Sequence, residues 1–205
     1  MSSFWRHPKP LVLASKSAAR RSLLEAAKIP FMIEGAAIDE RLVEAPLLAR
    51  GAGGHEIAEH LARAKAEAVS RSHPDDLVLG ADQTLEFEGK IFSKPSDRAA
   101  AAAQLAGFSG KTHQLHSAIC LMRGPRAVFE YVGTAHLTCR AFTAAFVETY
   151  LAAAGDVILG SVGAYQLEGL GIHLFERIEG DQATILGLPL LPLLAFLREE
   201  GSLAG

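Results

Sequence analysis

The sequence predicts an α/β fold built on a mixed, twisted sheet flanked by helices, and three observations carry that reading. β-Prone and amphipathic helical runs alternate from Leu11 to Arg71. Two long β-rich runs, Thr112 to Leu121 and Ala127 to Arg140, then meet across Arg123-Gly124-Pro125 as a hairpin. No repeat or linker divides the 205 residues, so the expected organisation is a single domain over 1–205, or two closely packed lobes.

In chain order, Leu11 to Ala14 reads as a first buried strand. Ser15-Lys16-Ser17 leads into a helix over Ala18 to Lys28, with Leu23, Leu24 and Ala27 on one face and Ser17 as N-cap. Arg20 and Arg21 stand in its first turns, where the helix dipole disfavours cations unless an anion binds there. The two arginines are either solvated or part of a phosphate cradle. Phe31 to Ile33 is a second strand, and Ala45 to Gly54 a Gly- and Ala-rich connection without a period. His55 to Arg71 is a helix with the stripe Ile57, Leu61, Ala64 and Ala68. Lys65 lies beside that stripe, as a snorkelling lysine at the core edge or one pointed inward at a ligand.

Leu77 to Pro95 is the central stretch. Leu77 to Leu79 is β-prone, Gly80-Ala81 brings the chain out of it, and Asp82 is expected at a strand end. Leu85 to Glu88 and Ile91-Phe92 form a hairpin about Gly89, with Lys94-Pro95 beyond. An acid at a strand end with a lysine a short loop away suits metal or phosphate chemistry. A turn-capping Asp is the plainer alternative.

Ser96-Asp97 caps an Ala-rich helix ending at Gly107, and Thr143 caps one ending near Ala154. The glycine-rich segment 162–171 carries Tyr165 and Glu168 and lets backbone approach a ligand. A strand over Ile172 to Ile178 and a closing helix over Leu188 to Glu199 complete the chain.

Composition narrows the function. Hydrophobic residues at 49% and charged residues at 21% describe a globular protein, and a formal charge of −3 gives no global reason to bind nucleic acid or an anionic membrane. MSSFWRHPKP lacks the apolar stretch of a secretory leader, and Ile185 to Leu197 is too short to span a bilayer. The two cysteines, Cys120 and Cys139, would not face each other across the expected hairpin, which points to a reducing, cytoplasmic compartment. No Walker A loop, dinucleotide fingerprint or nucleophile elbow is present, and the eight histidines show no zinc spacing and read as ordinary polar residues. His113 and His116 are expected on opposite faces of a strand.

Taken together, LASKSAARRSLL (13–24), LARAKA (61–66), GADQTLEFEGKIFSKP (80–95), SGKTH (109–113), GAYQLEGLGIHLFERIEG (163–180) and GLPL (187–190) resemble the Maf family of nucleoside triphosphate pyrophosphatases, in the family's order and over nearly the whole chain. The resemblance implies hydrolysis of a nucleoside triphosphate between its α and β phosphates. It also implies a divalent cation (Mg²⁺ or Mn²⁺), a cleft between two lobes and, frequently, a homodimer. By the same resemblance, Ser15 and Arg20 match a phosphate-binding loop and Glu40 an acidic position near the metal. Lys65, Asp82 and Lys94 match the charged centre, with Asp82 in the place of the proton acceptor; metal ligand and general base are both open to it.

Ala18 and Ala19 depart from the family's SxSPRR loop, Gln83 replaces a common Thr, and Glu168 a common Gln. Gln83 and Glu168 resemble the branch acting on 7-methyl-GTP, although that branch tends to carry Trp where this chain has Ala19. A carboxylate suits a guanine edge because it can accept from N1–H and the exocyclic amine together, and it attracts a 7-methylated ring. The expected role is clearance of non-canonical or modified nucleotides. The alternative is a nucleotide-binding regulator of septum formation with little turnover.

Overall fold

The computed structural model describes residues 4–205; the first three residues of the leader reading lie outside them. The elements run β1 (Leu11–Leu13), α1 (Ala18–Ala26), β2 (Phe31–Ile33), α2 (Glu40–Ala49), α3 (Gly54–Ser70), β3 (Leu77–Phe87) and β4 (Lys90–Phe92). They continue as α4 (Arg98–Phe108), β5 (Thr112–Arg123), β6 (Arg126–Cys139), α5 (Ala144–Ala154), β7 (Phe175–Glu179), α6 (Gln182–Ile185) and α7 (Leu190–Glu199). Three 3₁₀ turns, Gly155–Gly160, Val162–Ala164 and Leu170–Leu174, fill the stretch between α5 and β7.

The described residues form a seven-stranded mixed sheet in the order β2-β1-β3-β5-β6-β7, with β4 paired to β3. β2, β1 and β3 are parallel, and β3, β5, β6 and β7 run antiparallel in turn. Alternation along β3 divides the core between two faces. Val78 packs with Ala58, Ala62, Ala66 and Val69 of α3 on one face. On the other, Leu77 and Leu79 pack with Leu24 of α1 and Leu193 and Leu197 of α7. Further along that second face, Leu85 and Phe87 pack with Leu105 and Phe108 of α4 and Val147 and Leu151 of α5.

Local chemistry sets the helix starts as the sequence predicts. Ser17, Asp97 and Thr143 accept from the backbone N–H of Arg20, Ala100 and Phe146. The β3–β4 hairpin turns on Glu88 and Gly89, at φ 51° and 72°, the pair of positive values a tight two-residue turn requires.

Four readings need correction. β3 is continuous through Gly80 and Ala81, so Asp82 sits in mid-strand rather than at a strand end. Gly80 stays in the strand because α3 lies on it: a Cβ there would meet Ala62 O at 2.2 Å and Ala66 N at 2.6 Å. Residues 45–49, read as connection, belong to α2; Pro46 and the exposed Leu42 and Leu48 hide its period, and only Leu47 is buried. The buried face of α3 is Ile57, Ala58, Leu61, Ala62, Ala66 and Val69, while Ala64 and Ala68 are half-buried. The last strand begins at Phe175 rather than Ile172, because Leu170–Leu174 coils as a 3₁₀ turn.

Cys120 and Cys139 are free and buried, and burial pushes both thiols up to about 12. Among the described residues no helix is long and apolar enough to cross a membrane.

Candidate active site

A cleft of about 1370 Å³ opens beyond the end of β1 and along the middle of β3. One wall is the Ala14–Arg20 loop, the 35–41 loop, Glu44 and Lys65. The other is Ile91 to Lys94, Val157, Val162 and Tyr165 to Glu168, with Ile185 to Gly187 at the side.

The charged corner follows from the packing of α3 on Gly80. That close approach brings Lys65 over Asp82, and Lys65 Nζ donates to Asp82 Oδ1 and lies 2.7 Å from Glu40 Oε1. Asp82 is 7% exposed, and its Oδ2 has no hydrogen-bond partner among the described residues. An ion pair of this kind orients the carboxylate while leaving one oxygen for a water or cation. Asp39 caps α2 and so places Glu40 at its first position.

Glu44, one helical turn beyond Glu40, lines the same corner. Burial raises its pKa, and the charges of Asp82 and Glu40 raise it further against Lys65 and Arg41. The sequence reading missed this residue. Its i,i+4 spacing from Glu40 is the available signal, obscured because the Gly- and Ala-rich run that follows shows no period.

Arg20 is buried at the floor. Its Nε donates to Gly187 O at 2.7 Å, and its Nη1 donates to Ala81 O at 2.9 Å and Ser15 Oγ at 3.1 Å. Burial draws its pKa down while the charges of Asp82 and Glu40 oppose that. These bonds make Arg20 a tie between α1, β3 and the loop before α7. Ser15 Oγ accepts from Arg20 and, at 3.3 Å, from Ser17 N–H, which leaves its own O–H proton for a ligand in the cleft. Lys16 and Lys94 are exposed at the cleft and form no ion pair among the described residues.

Gln83, next to Asp82, turns to the opposite face of β3. Its amide nitrogen lies 2.9 Å from Ser117 Oγ, 2.9 Å from Ile185 O and 3.2 Å from Thr184 O, three acceptors that share its two N–H bonds. Glu168 is exposed in the far wall without a protein hydrogen bond among the described residues. Asp82, Lys65 and Glu40 are thus brought into contact, with Ser15 and Arg20 beside them. Gln83, Lys94 and Glu168 line other parts of the same cleft.

Tyr165 is held in the wall by a buried histidine. His113 Nε2 lies 2.7 Å from Tyr165 Oη, and its ring stacks on Phe108. His113 and His116 do take opposite faces, but both are buried, so neither is the ordinary polar residue expected. Burial lowers the His113 pKa from 6.5 to about 4. The unfolded chain therefore takes up a proton that the fold refuses between those values, and stability falls as pH drops through that window, by up to about 3 kcal/mol. Denaturant melts at pH 7 and pH 4.5 should show this loss in the wild type and a smaller one in His113→Asn.

The carboxylates test the fit of a divalent cation. Asp82, Glu40 and Glu44 offer hard oxygens only, which suit Mg²⁺ or Mn²⁺. Among the described residues no group of three His, Cys, Asp or Glu is arranged to cage an ion. The donor set fits a cation held by one or two carboxylates together with substrate phosphates, the usual arrangement for Mg²⁺.

The family profile described as Maf-like protein matches residues 10–200. The chain belongs to the Maf family. A Nitrobacter hamburgensis relative named nucleoside triphosphate pyrophosphatase is 52% identical over 98% of this chain and 98% of its own. A Brucella suis relative named 7-methyl-GTP pyrophosphatase is 53% identical over 95% of this chain and 98% of its own. The Staphylococcus aureus Ham1 protein aligns over 64% of this chain and 72% of its own, at 17% identity and a TM-score of 0.42. Placing this chain among Maf proteins agrees with the order of motifs from Ser15 to Pro189.

Proposed function

We propose that this Maf-family protein hydrolyses nucleoside triphosphates between the α and β phosphates, releasing a nucleoside monophosphate and pyrophosphate. One observation carries the reading: a mid-strand Asp82 held by Lys65 beside Glu40, in a cleft whose adjoining loop offers the Ser15 hydroxyl, the α1 N-terminus and Lys16. A triphosphate brings about four negative charges. The exposed Lys16 and Lys94, with the Ser15 O–H and the N–H groups entering α1, supply donors for them.

In this reading Asp82 Oδ2 accepts a proton from the water that attacks the α phosphorus, and Lys65 fixes the orientation of that carboxylate. Glu40, with Glu44 behind it, would hold Mg²⁺ or Mn²⁺ together with the substrate phosphates, since the one free Asp82 oxygen is given to the water. When bound, such an ion supplies positive charge for the departing pyrophosphate.

The names of the relatives support the activity, and the Brucella name supports a preference for 7-methyl-GTP. In our reading Glu168 accepts from the guanine edge, and Tyr165, Leu167 and Val162 flank the base. The two free, buried thiols support a reducing, cytoplasmic compartment. Initial rates with 7-methyl-GTP, GTP, dTTP and UTP test the preference. 7-Methyl-GTP is expected to give the highest kcat/KM; a higher value for dTTP or UTP would remove the role assigned to Glu168.

A further inference from the structure

The cleft wall that carries Glu40 is tied at both ends and only thinly backed between them. It leaves β2, a three-residue strand at the sheet edge that pairs, among the described residues, only with β1. Glu34 N–H extends that pairing to Leu13 O at 3.1 Å. Residues 35–39 then run without regular structure to the Asp39 cap of α2. Ala36 packs against the α3 cluster. Gly35, Ala37 and Ile38 instead line a hollow of about 410 Å³ whose other side is Ala64, Ala68 and Arg71. At the far end Glu40 meets Lys65.

The near end is held by a histidine. His73, in the turn after α3, lies with Nε2 2.5 Å from Glu34 Oε2 and Nδ1 3.0 Å from Asp76 Oδ2. Both neighbours are carboxylate oxygens, which only accept, so the geometry is that of a ring carrying a proton on each nitrogen. Ser72 Oγ donates to Glu34 Oε1 at 3.2 Å, and Lys9 Nζ donates to Asp76 Oδ1 at 2.6 Å. The His73 and Asp76 side chains are 16% and 17% exposed, so this pair is better shielded than an ordinary surface one. The network joins the end of β2 to the α3–β3 turn and to the segment before β1. Gly35 lies against Lys16: a Cβ there would meet Lys16 Cε at 2.4 Å. The wall therefore sets the course of Lys16 as well as the place of Glu40.

We infer that His73 is a positioning residue for the cleft: its bridge between Glu34 and Asp76 holds the wall over 35–39, and through it Glu40 and Lys16, in place for the triphosphate. The bridge needs the charged ring. A neutral imidazole has one N–H, so it satisfies one carboxylate and turns a lone pair to the other. The hydrogen bond with Glu34, then that with Asp76, raises the His73 pKa above its usual 6.5. The tie is therefore complete below 6.5 and is lost as pH rises through the raised folded value. The charged groups around the ring are Glu34 after β2, Asp75 and Asp76 in the turn, and Lys9 ahead of β1. Glu67 and Arg71 of α3 face Glu34 across the hollow.

The positioning part rests on the pyrophosphatase reading; the bridge does not. The test uses the full chain as wild type, His73→Gln and Glu34→Gln. Three readouts are taken at about pH 6 to about pH 9: the His73 ring signal by NMR, amide hydrogen exchange over 35–40 relative to free peptide, and KM for 7-methyl-GTP. The wild-type ring is expected to titrate above 6.5. Wild-type exchange over 35–40 should rise on the order of three- to tenfold across that range, the scale of a lost hydrogen bond. His73→Gln keeps a donor but never charges, and it should exchange at the faster rate throughout, as should Glu34→Gln. Near pH 6 both variants should show KM raised by a similar factor, with kcat changed less, and the ratio of variant to wild-type KM should fall toward one near pH 9. A ring that titrates at or below 6.5, or variants that exchange like the wild type near pH 6, overturns the bridge. The titration needs no variant, so it decides even where a variant fails to fold. A loosened wall with unchanged KM, or a KM ratio that ignores pH, overturns the positioning role. If the wild type hydrolyses no triphosphate, the pyrophosphatase reading falls, and titration and exchange alone decide the bridge.

Discussion

Asp82→Asn is expected to lower kcat for pyrophosphate release by roughly 10²–10⁴, the contribution of a positioned proton acceptor. The substitution keeps the shape of the side chain and removes its charge. Lys65 retains its contact with Glu40, so the β3–α3 packing around Gly80 should stand and the melting temperature should move by only a few degrees. Substrate affinity is expected to change less than turnover, because the donors aimed at the phosphates lie on the Ser15 loop and on Lys94. Rates and thermal melts on the same preparation separate the two effects. Full turnover with an intact fold would remove Asp82 from the chemistry.

Arg20→Met is expected to act on the fold as strongly as on the reaction. The wild-type guanidinium satisfies Gly187 O and Ala81 O and supports Ser15 Oγ from a buried position. Removing it leaves two carbonyls without donors in a site that a methionine fills but cannot satisfy. Breaking a buried charged network costs about 3–5 kcal/mol, a large part of the roughly 5–15 kcal/mol that holds a typical domain. A fall in melting temperature of about 10 °C or more is the expected result, together with loss of activity as Gly187 and Ser15 shift. A variant that melts like the wild type yet loses triphosphate affinity would instead make Arg20 chiefly a phosphate ligand.

What could be read from the sequence was mostly local. Ser17, Asp97 and Thr143 were legible as caps because each bonds a backbone N–H three residues on, so the signal and its partner share a window. The long hairpin was legible because the β-rich runs Thr112 to Leu121 and Ala127 to Arg140 flank Arg123-Gly124-Pro125. Gly80 misled because its cause is not local: glycine after three apolar residues reads as the end of a strand, whereas here it makes room for the backbone of α3. α2 was missed because Pro46 and two exposed leucines hide its period, and Glu44 went with it.

At the site, residue types were legible and partners were not. Asp82, Lys65 and Glu40 could be placed in one corner by resemblance, but the sequence gives no sign that Lys65 bridges the two acids. Gln83 lines the cleft as the resemblance implies, but what holds its amide is not legible in the sequence. Its carbonyl partners lie 101 and 102 residues away, where no sequence window reaches.

The central claim is that water cleaves the triphosphate at the α phosphorus. Incubating the purified full chain with Mg²⁺ or Mn²⁺ and 7-methyl-GTP in ¹⁸O-labelled water, and analysing both products, tests it most directly. Equal amounts of nucleoside monophosphate and pyrophosphate, with the label in the monophosphate, are predicted. Release of orthophosphate and a diphosphate, or tight binding of the nucleotide with no product, would contradict it; the second result is the one expected of a regulator that binds nucleotide without turnover.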